Sequence, residues 1–205
     1  MKKIILIGNG GHAKVIKDIV KKSESYQLSG YLDDAIVRKS YSNDIFYDNL
    51  SNISNYYRTH HFIIAIGDNN KRQQIVHRFA NIKLNYATLI HPTATIGSNV
   101  KIDKGSVIMP NTTINADTMI GKHCIINTMS CIEHDNKICD YVHIAPNATL
   151  TGNVVINKGT FIGASATVIP NINIGQNVIV GAGSTVINDI ADNHTVYGSP
   201  ANNKR

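Results

Sequence analysis

The chain has 205 residues, of which 42% are hydrophobic and 17% charged, and its formal net charge is +6. This composition is too apolar for a disordered segment, and apolar runs such as Phe62 to Ile66 fall far short of the roughly 18 residues that span a bilayer. We therefore expect a globular protein of one large or two small domains that does not bind a membrane. Because the start of the chain lacks a secretory pattern, we expect it to be cytoplasmic.

The excess positive charge lies in the first 89 residues, which hold 13 Lys and Arg against 7 Asp and Glu, whereas the rest of the chain holds 7 of each. No basic run is longer than two residues, so a solvated surface explains the charge better than a nucleic-acid site, and we expect no nucleic-acid partner. The three cysteines, Cys124, Cys131 and Cys139, have no C-x-x-C spacing. This argues against a disulfide framework and against a structural metal site.

The first half of the chain predicts alternating strands and helices. The order is a buried strand over residues 3–7, a glycine loop, a helix over His12–Lys22, a strand near Leu28–Leu32, a strand over His60–Ile66, and a helix over Asn69–Ala80. A strand followed by glycines and a helix N-terminus suits phosphate binding, because the backbone can approach a diphosphate closely.

The glycine loop matches a dinucleotide fingerprint in part. Gly8, Gly10 and Ala13 have the required spacing, and Asp33-Asp34 follows the second strand where an acid could meet a ribose. Only 89 residues precede the next segment, which leaves room for about one mononucleotide half. Residues 1–89 are therefore predicted to form a Rossmann-like domain that binds a mononucleotide portion such as UDP rather than NAD.

From Ile90 onward, an aliphatic residue recurs at every sixth position without a slip. The seventeen positions are Ile90, Ile96, Ile102, Ile108, Ile114, Ile120, Ile126, Ile132, Ile138, Ile144, Leu150, Ile156, Ile162, Val168, Ile174, Val180 and Val186. A small or β-branched residue mostly follows four positions later, and Asn136 is the exception. This period fits neither a helix nor an ordinary strand, but it fits a triangular solenoid with three repeats in each coil. Residues 90–205 are therefore predicted to form a prism of five to six coils.

One tripeptide of the solenoid carries groups suited to catalysis. Glu133-His134-Asp135 stands where small residues are usual, at a predicted corner whose side chains face outward. A carboxylate beside an imidazole stabilises the imidazolium, so His134 is a candidate general base with Asp135 as its partner. His143 lies one and a half repeats further on, on another face. The two histidines could therefore meet only between prisms, and a cyclic trimer suits a three-faced prism.

Several motifs together resemble a known family. They are residues 7–12 (Ile-Gly-Asn-Gly-Gly-His), 32–34, 65–67, 89–92, 126–128, 132–135, 142–144, 152–154 and 197–201 (Tyr-Gly-Ser-Pro-Ala). The chain resembles the NeuD/PglD-type bacterial sugar acetyltransferases, which include UDP-4-amino-sugar N-acetyltransferases and sialic acid O-acetyltransferases. The resemblance implies a small Rossmann-like α/β domain followed by an all-β left-handed parallel β-helix. It also implies a homotrimer with active sites between neighbouring prisms.

The resemblance further implies roles for particular residues. The UDP-linked sugar would contact a set in the first domain with one residue of the prism near the reacting centre: Gly10, Gly11, His12, Asp33, Asp34, Gly67 and Asn127. Acetyl-CoA, the co-substrate, would lie between two prisms against His143, Ala164 and Ala182, and the Gly152 amide would hold the oxyanion. His134 would take the proton as the sugar amine attacks the thioester directly, without a bound metal and without a covalent enzyme intermediate.

Three alternatives remain open at the level of sequence. The same base could serve O-acetylation of a sialic acid or another sugar. A zinc carbonic anhydrase also uses a β-helix trimer, but it needs three imidazoles on one metal, and His123, His134 and His143 are out of register for that. Finally, the solenoid could be a scaffold without catalysis.

Overall fold

The structure is a computed structural model that describes residues 1–203, and the chain divides into two compact units. The first covers residues 1–89 and the second begins at Ile90. The first unit contains β1 (Lys2–Ile7), α1 (Gly11–Lys21), β2 (Tyr26–Leu32), β3 (Ser40–Ser42), β4 (Ile45–Asp48), a 3₁₀ helix (Leu50–Asn55), β5 (His61–Ile64), α2 (Asn69–Arg78) and β6 (Asn85–Tyr86).

The sheet of the first unit has the order β3-β4-β2-β1-β5-β6, and all its pairs are parallel except β3 with β4. Its centre is β1, whose residues 4–7 are fully buried, as expected for a parallel strand with neighbours on both sides. The chain leaves β1 towards β2 on one side, and β5 lies on the other side. In open α/β sheets this reversal of strand order opens a crevice at the carboxyl ends of the strands.

The predicted strands and helices of the first unit are confirmed, with bounds shifted by at most two residues. The strand predicted over His60–Ile66 ends at Ile64, although the amide of Ala65 still bonds the Ile7 carbonyl at 2.7 Å. The second helix ends at Arg78 rather than Ala80, and the Asp68 side chain caps its start by accepting from the Lys71 amide at 2.8 Å. Sequence analysis missed β3, β4, the 3₁₀ helix and β6.

The second unit is a solenoid of short strands that pair in parallel, except for the last two, which pair antiparallel. These are β7 (Leu89–Ile90), β8 (Thr95–Ile96), β9 (Lys101–Ile102), β10 (Val107–Ile108), β11 (Thr113–Ile114), β12 (Met119–Ile120), β13 (Ile125–Ile126), β14 (Cys131–Ile132), β15 (Lys137–Ile138), β16 (His143–Ile144), β17 (Thr149–Leu150), β18 (Val155–Ile156), β19 (Phe161–Ile162), β20 (Thr167–Val168), β21 (Asn173–Ile174), β22 (Ile179–Val180), β23 (Thr185–Val186), β24 (Thr195–Tyr197) and β25 (Asn202–Asn203).

The strands form three sheets, which are the three faces of the prism. They contain eight, six and five strands, and successive members of each sheet from β7 to β23 are 18 residues apart in sequence. Ile126 pairs with Ile144, for example, and Ile132 pairs with Leu150. The repeated aliphatic residues point inward and are fully buried from Ile108 to Val186, which confirms the six-residue interpretation.

Each corner of the prism from Asn99 to Gly183 contains a residue with a positive φ angle, three positions after the repeated aliphatic residue. Asparagine is the commonest residue there, as at Asn147 (φ 59°) and Asn153 (φ 58°). Asparagine tolerates this left-handed conformation better than most residues, because its short side chain bonds locally. The corner is therefore encoded by residue type as well as by the repeat.

We expect Gly105→Ala to destabilise the solenoid more than Gly183→Ala. Both glycines have positive φ angles, 81° and 67°, so each alanine bears a conformational cost of about 1–2 kcal/mol. A Cβ at position 105 would also overlap the buried His123 ring, whereas none of the described atoms lies within 4 Å at position 183. The overlap adds about 1–3 kcal/mol. Urea unfolding measures both variants, and equal losses of stability would contradict the steric explanation.

Candidate active site

A cavity of about 660 Å³ opens in the first unit, at the carboxyl ends of the central strands. Its lining contains every residue predicted for the nucleotide sugar in this unit, namely Gly10, Gly11, His12, Asp33, Asp34 and Gly67. Lys71 and Arg78 of α2 also line it and add positive charge. Sequence analysis missed these two basic residues, although their spacing of seven on one helix could have placed them on a common face.

The glycines of this cavity fall into two kinds. Gly8 has a φ angle of 106°, and a Cβ there would lie 2.8 Å from Cγ1 of Ile66, so the fold itself requires glycine. At Gly10, Gly11 and Gly67 a Cβ would meet none of the described atoms within 4 Å. Packing of the chain therefore does not demand glycine at these three positions, and their effect is to keep the backbone bare on the cavity side.

The two aspartates after β2 differ in what they hold. The Asp33 carboxylate accepts from the Asn9 amide at 2.8 Å and from the Ala35 amide at 2.9 Å, so it ties the glycine loop to the end of β2. Asp34 accepts from one terminal nitrogen of Arg78, at 2.9 and 2.8 Å, on the more exposed side. Asp33 thus shapes the cavity, while the Asp34–Arg78 pair presents both charges to it.

His12 at the start of α1 is held in its neutral form. Burial, and secondarily the positive charge of Arg72, lowers the pKa of His12 to about 4. Its Nε2 atom is buried and, among the described residues, has no hydrogen-bond partner. A buried polar atom without a partner is costly, and a ligand in the cavity that His12 lines could satisfy it.

His134 and Asp135 occupy the corner between β14 and β15, as predicted. Asp135 has a φ angle of 60°, and its Oδ2 lies 2.7 Å from Nδ1 of His134. Both side chains are exposed, at 62% and 57%. An ionised carboxylate only accepts hydrogen bonds, so the Nδ1 of a neutral His134 carries the proton. The Nε2 lone pair is then available to take a proton from a nucleophile.

Gly152 lies one coil further on, directly against the His134 ring. A Cβ at position 152 would lie 2.8 Å from Cε1 and 2.9 Å from Nε2 of His134. Glycine is therefore what allows the imidazole to lie against the neighbouring coil. Among the described residues the Gly152 amide N–H donates no hydrogen bond, a property that it shares with several other corner amides.

His143 is not the solvated histidine that a surface strand position would give. It is only 8% exposed, and its ring packs edge-on against Phe161 at 5.1 Å. The Asn127 Oδ1 accepts from the Thr128 amide at 2.8 Å, which turns its amide nitrogen towards Nε2 of His143 at 3.0 Å. Nε2 of His143 therefore accepts, and the ring proton of the neutral form lies on Nδ1.

The predicted residues of the solenoid form two groups on different corners. Asn127, Ala164 and Ala182 follow strands of the eight-stranded sheet, to which His143 belongs, whereas His134 and Gly152 follow strands of the six-stranded sheet. The whole six-stranded face therefore lies between the two groups within one chain.

Comparisons with known proteins match both units. The PglD N-terminal domain model matches residues 3–79, and the bacterial transferase hexapeptide model, of six repeats, matches residues 93–128. A histidine-to-asparagine variant of perosamine N-acetyltransferase from Caulobacter crescentus, solved with CoA and GDP-perosamine, is 30% identical. The match covers 100% of this chain and 98% of that one, with a TM-score of 0.91. The chain belongs to the NeuD/PglD-type family of bacterial sugar acetyltransferases.

Two further relatives agree with this family. The acetyltransferase domain of PglB from Neisseria gonorrhoeae is 29% identical over 100% of both chains, with a TM-score of 0.90, and it has also been solved with acetyl coenzyme A. UDP-N-acetylbacillosamine N-acetyltransferase from Bacillus subtilis is 41% identical over 99 residues. That match spans 47% of this chain and only 46% of the relative. The predicted fold, a Rossmann-like domain followed by a left-handed parallel β-helix, is thereby confirmed.

Residues 1–203 hold neither a candidate metal site nor a candidate membrane span. No three His, Cys, Asp or Glu side chains of this part of one chain are grouped so that they could hold a metal ion. Of the histidines weighed as zinc ligands, His123 stacks on Tyr141 at 5.3 Å. No helix in the same range is long and apolar enough to cross a membrane.

We expect Gly67→Val to weaken nucleotide binding in this cavity without weakening the fold. The added side chain would enter the cavity, and the resulting overlap with a bound nucleotide should raise its Kd by about tenfold or more. Titration calorimetry with UDP and with GDP measures this. Gly8→Ala is the matched control, because its Cβ would overlap Ile66 of the same chain. This variant should lower the thermal midpoint of unfolding instead of the affinity for the nucleotide. A Gly67→Val variant that binds as the natural chain does would contradict the assignment of the cavity.

We expect the stability of the protein to decrease as the pH is lowered, partly because of His12. Between pH 6.5 and about 4, the unfolded chain binds a proton at His12 that the folded chain does not bind. Acidification over this window should therefore cost up to about 3 kcal/mol of unfolding free energy. Urea unfolding at pH 7, 5.5 and 4.5 should show a shallower decline for His12→Asn. Parallel declines in the two proteins would show that His12 is not buried in its neutral form.

Proposed function

We propose that the protein transfers the acetyl group of acetyl-CoA to the amino group of a nucleotide-linked amino sugar. The observation that carries this proposal is the placement of the His134 ring, whose Nδ1 lies 2.7 Å from Oδ2 of Asp135 and which packs against Gly152. Its Nε2 takes no part in the contact with Asp135. A general base next to a backbone N–H donor is the arrangement that acyl transfer needs. The relatives solved with CoA and acetyl coenzyme A support acetyl-CoA as the donor.

The reaction follows from these groups as a direct transfer. His134 accepts a proton at Nε2 as the sugar nitrogen bonds to the thioester carbonyl carbon. The Gly152 N–H stabilises the negative charge on the carbonyl oxygen until the carbon–sulfur bond breaks. The imidazolium of His134 then returns its proton to the CoA sulfur. Asp135 stabilises the imidazolium throughout, so no residue of the chain needs to form a bond to the acetyl group.

The acceptor's nucleotide is assigned to the cavity of the first unit. The bare backbone at Gly10, Gly11 and Gly67, the neutral His12, and the charges of Lys71 and Arg78 suit a diphosphate with its sugar. We propose UDP as the nucleotide, in line with the name of the Bacillus subtilis relative, whereas the Caulobacter crescentus relative was solved with a GDP-linked sugar. We propose no nucleic-acid partner.

A homotrimer is part of the proposal because of where the residues lie. His134 and Gly152 are separated from His143, Asn127, Ala164 and Ala182 by a whole face of the prism. Three prisms around a threefold axis would bring the His134 corner of one chain to the His143 face of the next, with acetyl-CoA between them. We place this trimer in the cytoplasm, where acetyl-CoA and nucleotide sugars are made.

O-acetylation of a sialic acid remains the second candidate, because the same base would serve a hydroxyl group. The cavity that we assign to the nucleotide favours the first candidate. Incubation with acetyl-CoA and either UDP-4-amino sugars, GDP-4-amino sugars or free sialic acid, with release of CoA thiol as the signal, separates them. Fast turnover of free sialic acid alone would overturn the assignment.

We expect His134→Ala and His143→Ala each to lose most activity as pure proteins, by about 10²–10⁴-fold for the base. Mixed trimers of the two variants should regain activity, because a site that draws one histidine from each of two chains is intact in about a quarter of cases under random mixing of a cyclic trimer. Co-expression with two affinity tags and thiol-release assays measures this. Mixed trimers as inactive as the parents would exclude a site shared between chains.

A further inference from the structure

Asn136 is the large polar exception among the inward residues of the solenoid. Its side chain is 1% exposed and lies in an interior lined by Ile, Val, Leu and Ala. The corresponding position in the next coil holds Val154, and in the preceding coil it holds Thr118. A buried amide in such an interior is costly unless all its donors and acceptors are satisfied.

The Asn136 amide is satisfied by the corner that carries His134 and by the corresponding corner of the next coil. Its nitrogen lies 2.6 Å from the Glu133 carbonyl, 2.9 Å from the Thr151 carbonyl and 3.3 Å from the His134 carbonyl. Its oxygen accepts from the Val154 amide at 3.2 Å. One side chain therefore bonds the carbonyls of Glu133 and Thr151, the residues that directly precede His134 and Gly152.

The bond to Thr151 has a geometric consequence for Gly152. The Thr151 carbonyl and the Gly152 N–H belong to the same peptide group, which is planar and trans, so they point in opposite directions. Because Asn136 draws the carbonyl into the prism, the N–H must face outward. The Glu133–His134 peptide is held in the same way, with Thr118 as a second donor to the Glu133 carbonyl at 2.9 Å.

At other corners, a hydroxyl group makes some of the equivalent hydrogen bonds. Thr160 donates to the Gly175 carbonyl at 2.7 Å, fifteen residues on, and accepts from the Val178 amide at 3.0 Å. Asn136 makes the equivalent two bonds and adds the bond within its own coil, for which a single hydroxyl proton does not suffice. The amide thus holds one peptide at each of two equivalent corners in adjacent coils.

We propose that Asn136 is a positioning residue for acetyl transfer, which acts from inside the prism by fixing the Gly152 N–H outward and the His134 corner against it. This proposal rests on the proposed function, in which those two groups do the chemistry. Asn136 itself touches neither substrate. Its effect should therefore appear in the rate of the chemical step rather than in the binding of either substrate.

The test compares Asn136→Val and Asn136→Thr with Thr160→Val, which removes an equally buried polar side chain at another corner. Asn136→Val should lower kcat by about 10–100-fold, because a misplaced N–H donor no longer stabilises the oxyanion fully. The KM values for acetyl-CoA and for the amino sugar should stay within about threefold. Asn136→Thr keeps the bond to Thr151 and should recover part of kcat. Thr160→Val should lower the thermal midpoint about as much as Asn136→Val but leave kcat within about twofold.

The crystal structure of Asn136→Val supplies a readout that does not depend on turnover. The Thr151–Gly152 peptide should be rotated or present in two orientations. A peptide in its original orientation, or a kcat for Asn136→Val equal to that of Thr160→Val, would overturn the proposal for Asn136. A natural chain that turns over no amino sugar would instead remove the proposed function, while the peptide orientation would still decide whether Asn136 fixes this corner.

Discussion

The arrangement of the solenoid depends on parallel pairing between residues 18 positions apart. Each coil stacks its short strands on those of the next, so every corner lies directly over the equivalent corner of its neighbour. This places Gly152 against His134 and Gly105 against His123, where a side chain on the glycine would overlap the ring. At these two corners, a ring in one coil therefore requires glycine in an adjacent coil. The position of the candidate base is consequently fixed by the repeat and not by a flexible loop.

The repeat also decides which features the sequence could predict. A period of six over seventeen positions has no other common structural explanation, and the exposed corner at His134 follows from the phase of that period. In the first unit, the glycine loop and the long apolar strands were predictable because their signals are local. The positions of Gly10, Gly11 and Gly67 around one cavity follow from the rule that open α/β sheets bind ligands where the strand order reverses.

Other features could not be predicted because they depend on contacts distant in sequence. Strand β3 and the 3₁₀ helix have weak patterns. Strand β3 is held by its antiparallel pairing with β4, and the 3₁₀ helix by the buried Asp48, which accepts from Tyr56 at 2.7 Å. The low exposure of His143 depends partly on Phe161 in the next coil. Similarly, Asn136 breaks the pattern of small inward residues, and only the positions of its acceptors explain why an amide belongs there.

The geometry of the prism also bears on how many chains a site requires. Because the coils superpose on one another, residues on different corners keep the same separation however many coils are added. Within one chain, two corners on opposite sides of a face cannot approach each other without breaking the strands between them. A catalytic base at one corner and a thioester-binding surface at another can therefore meet only if a second prism presents its own corner. In the proposed trimer, association of subunits is the means by which a rigid repeat acquires a concave site, and the proposed chemistry would depend on it as much as on any single residue.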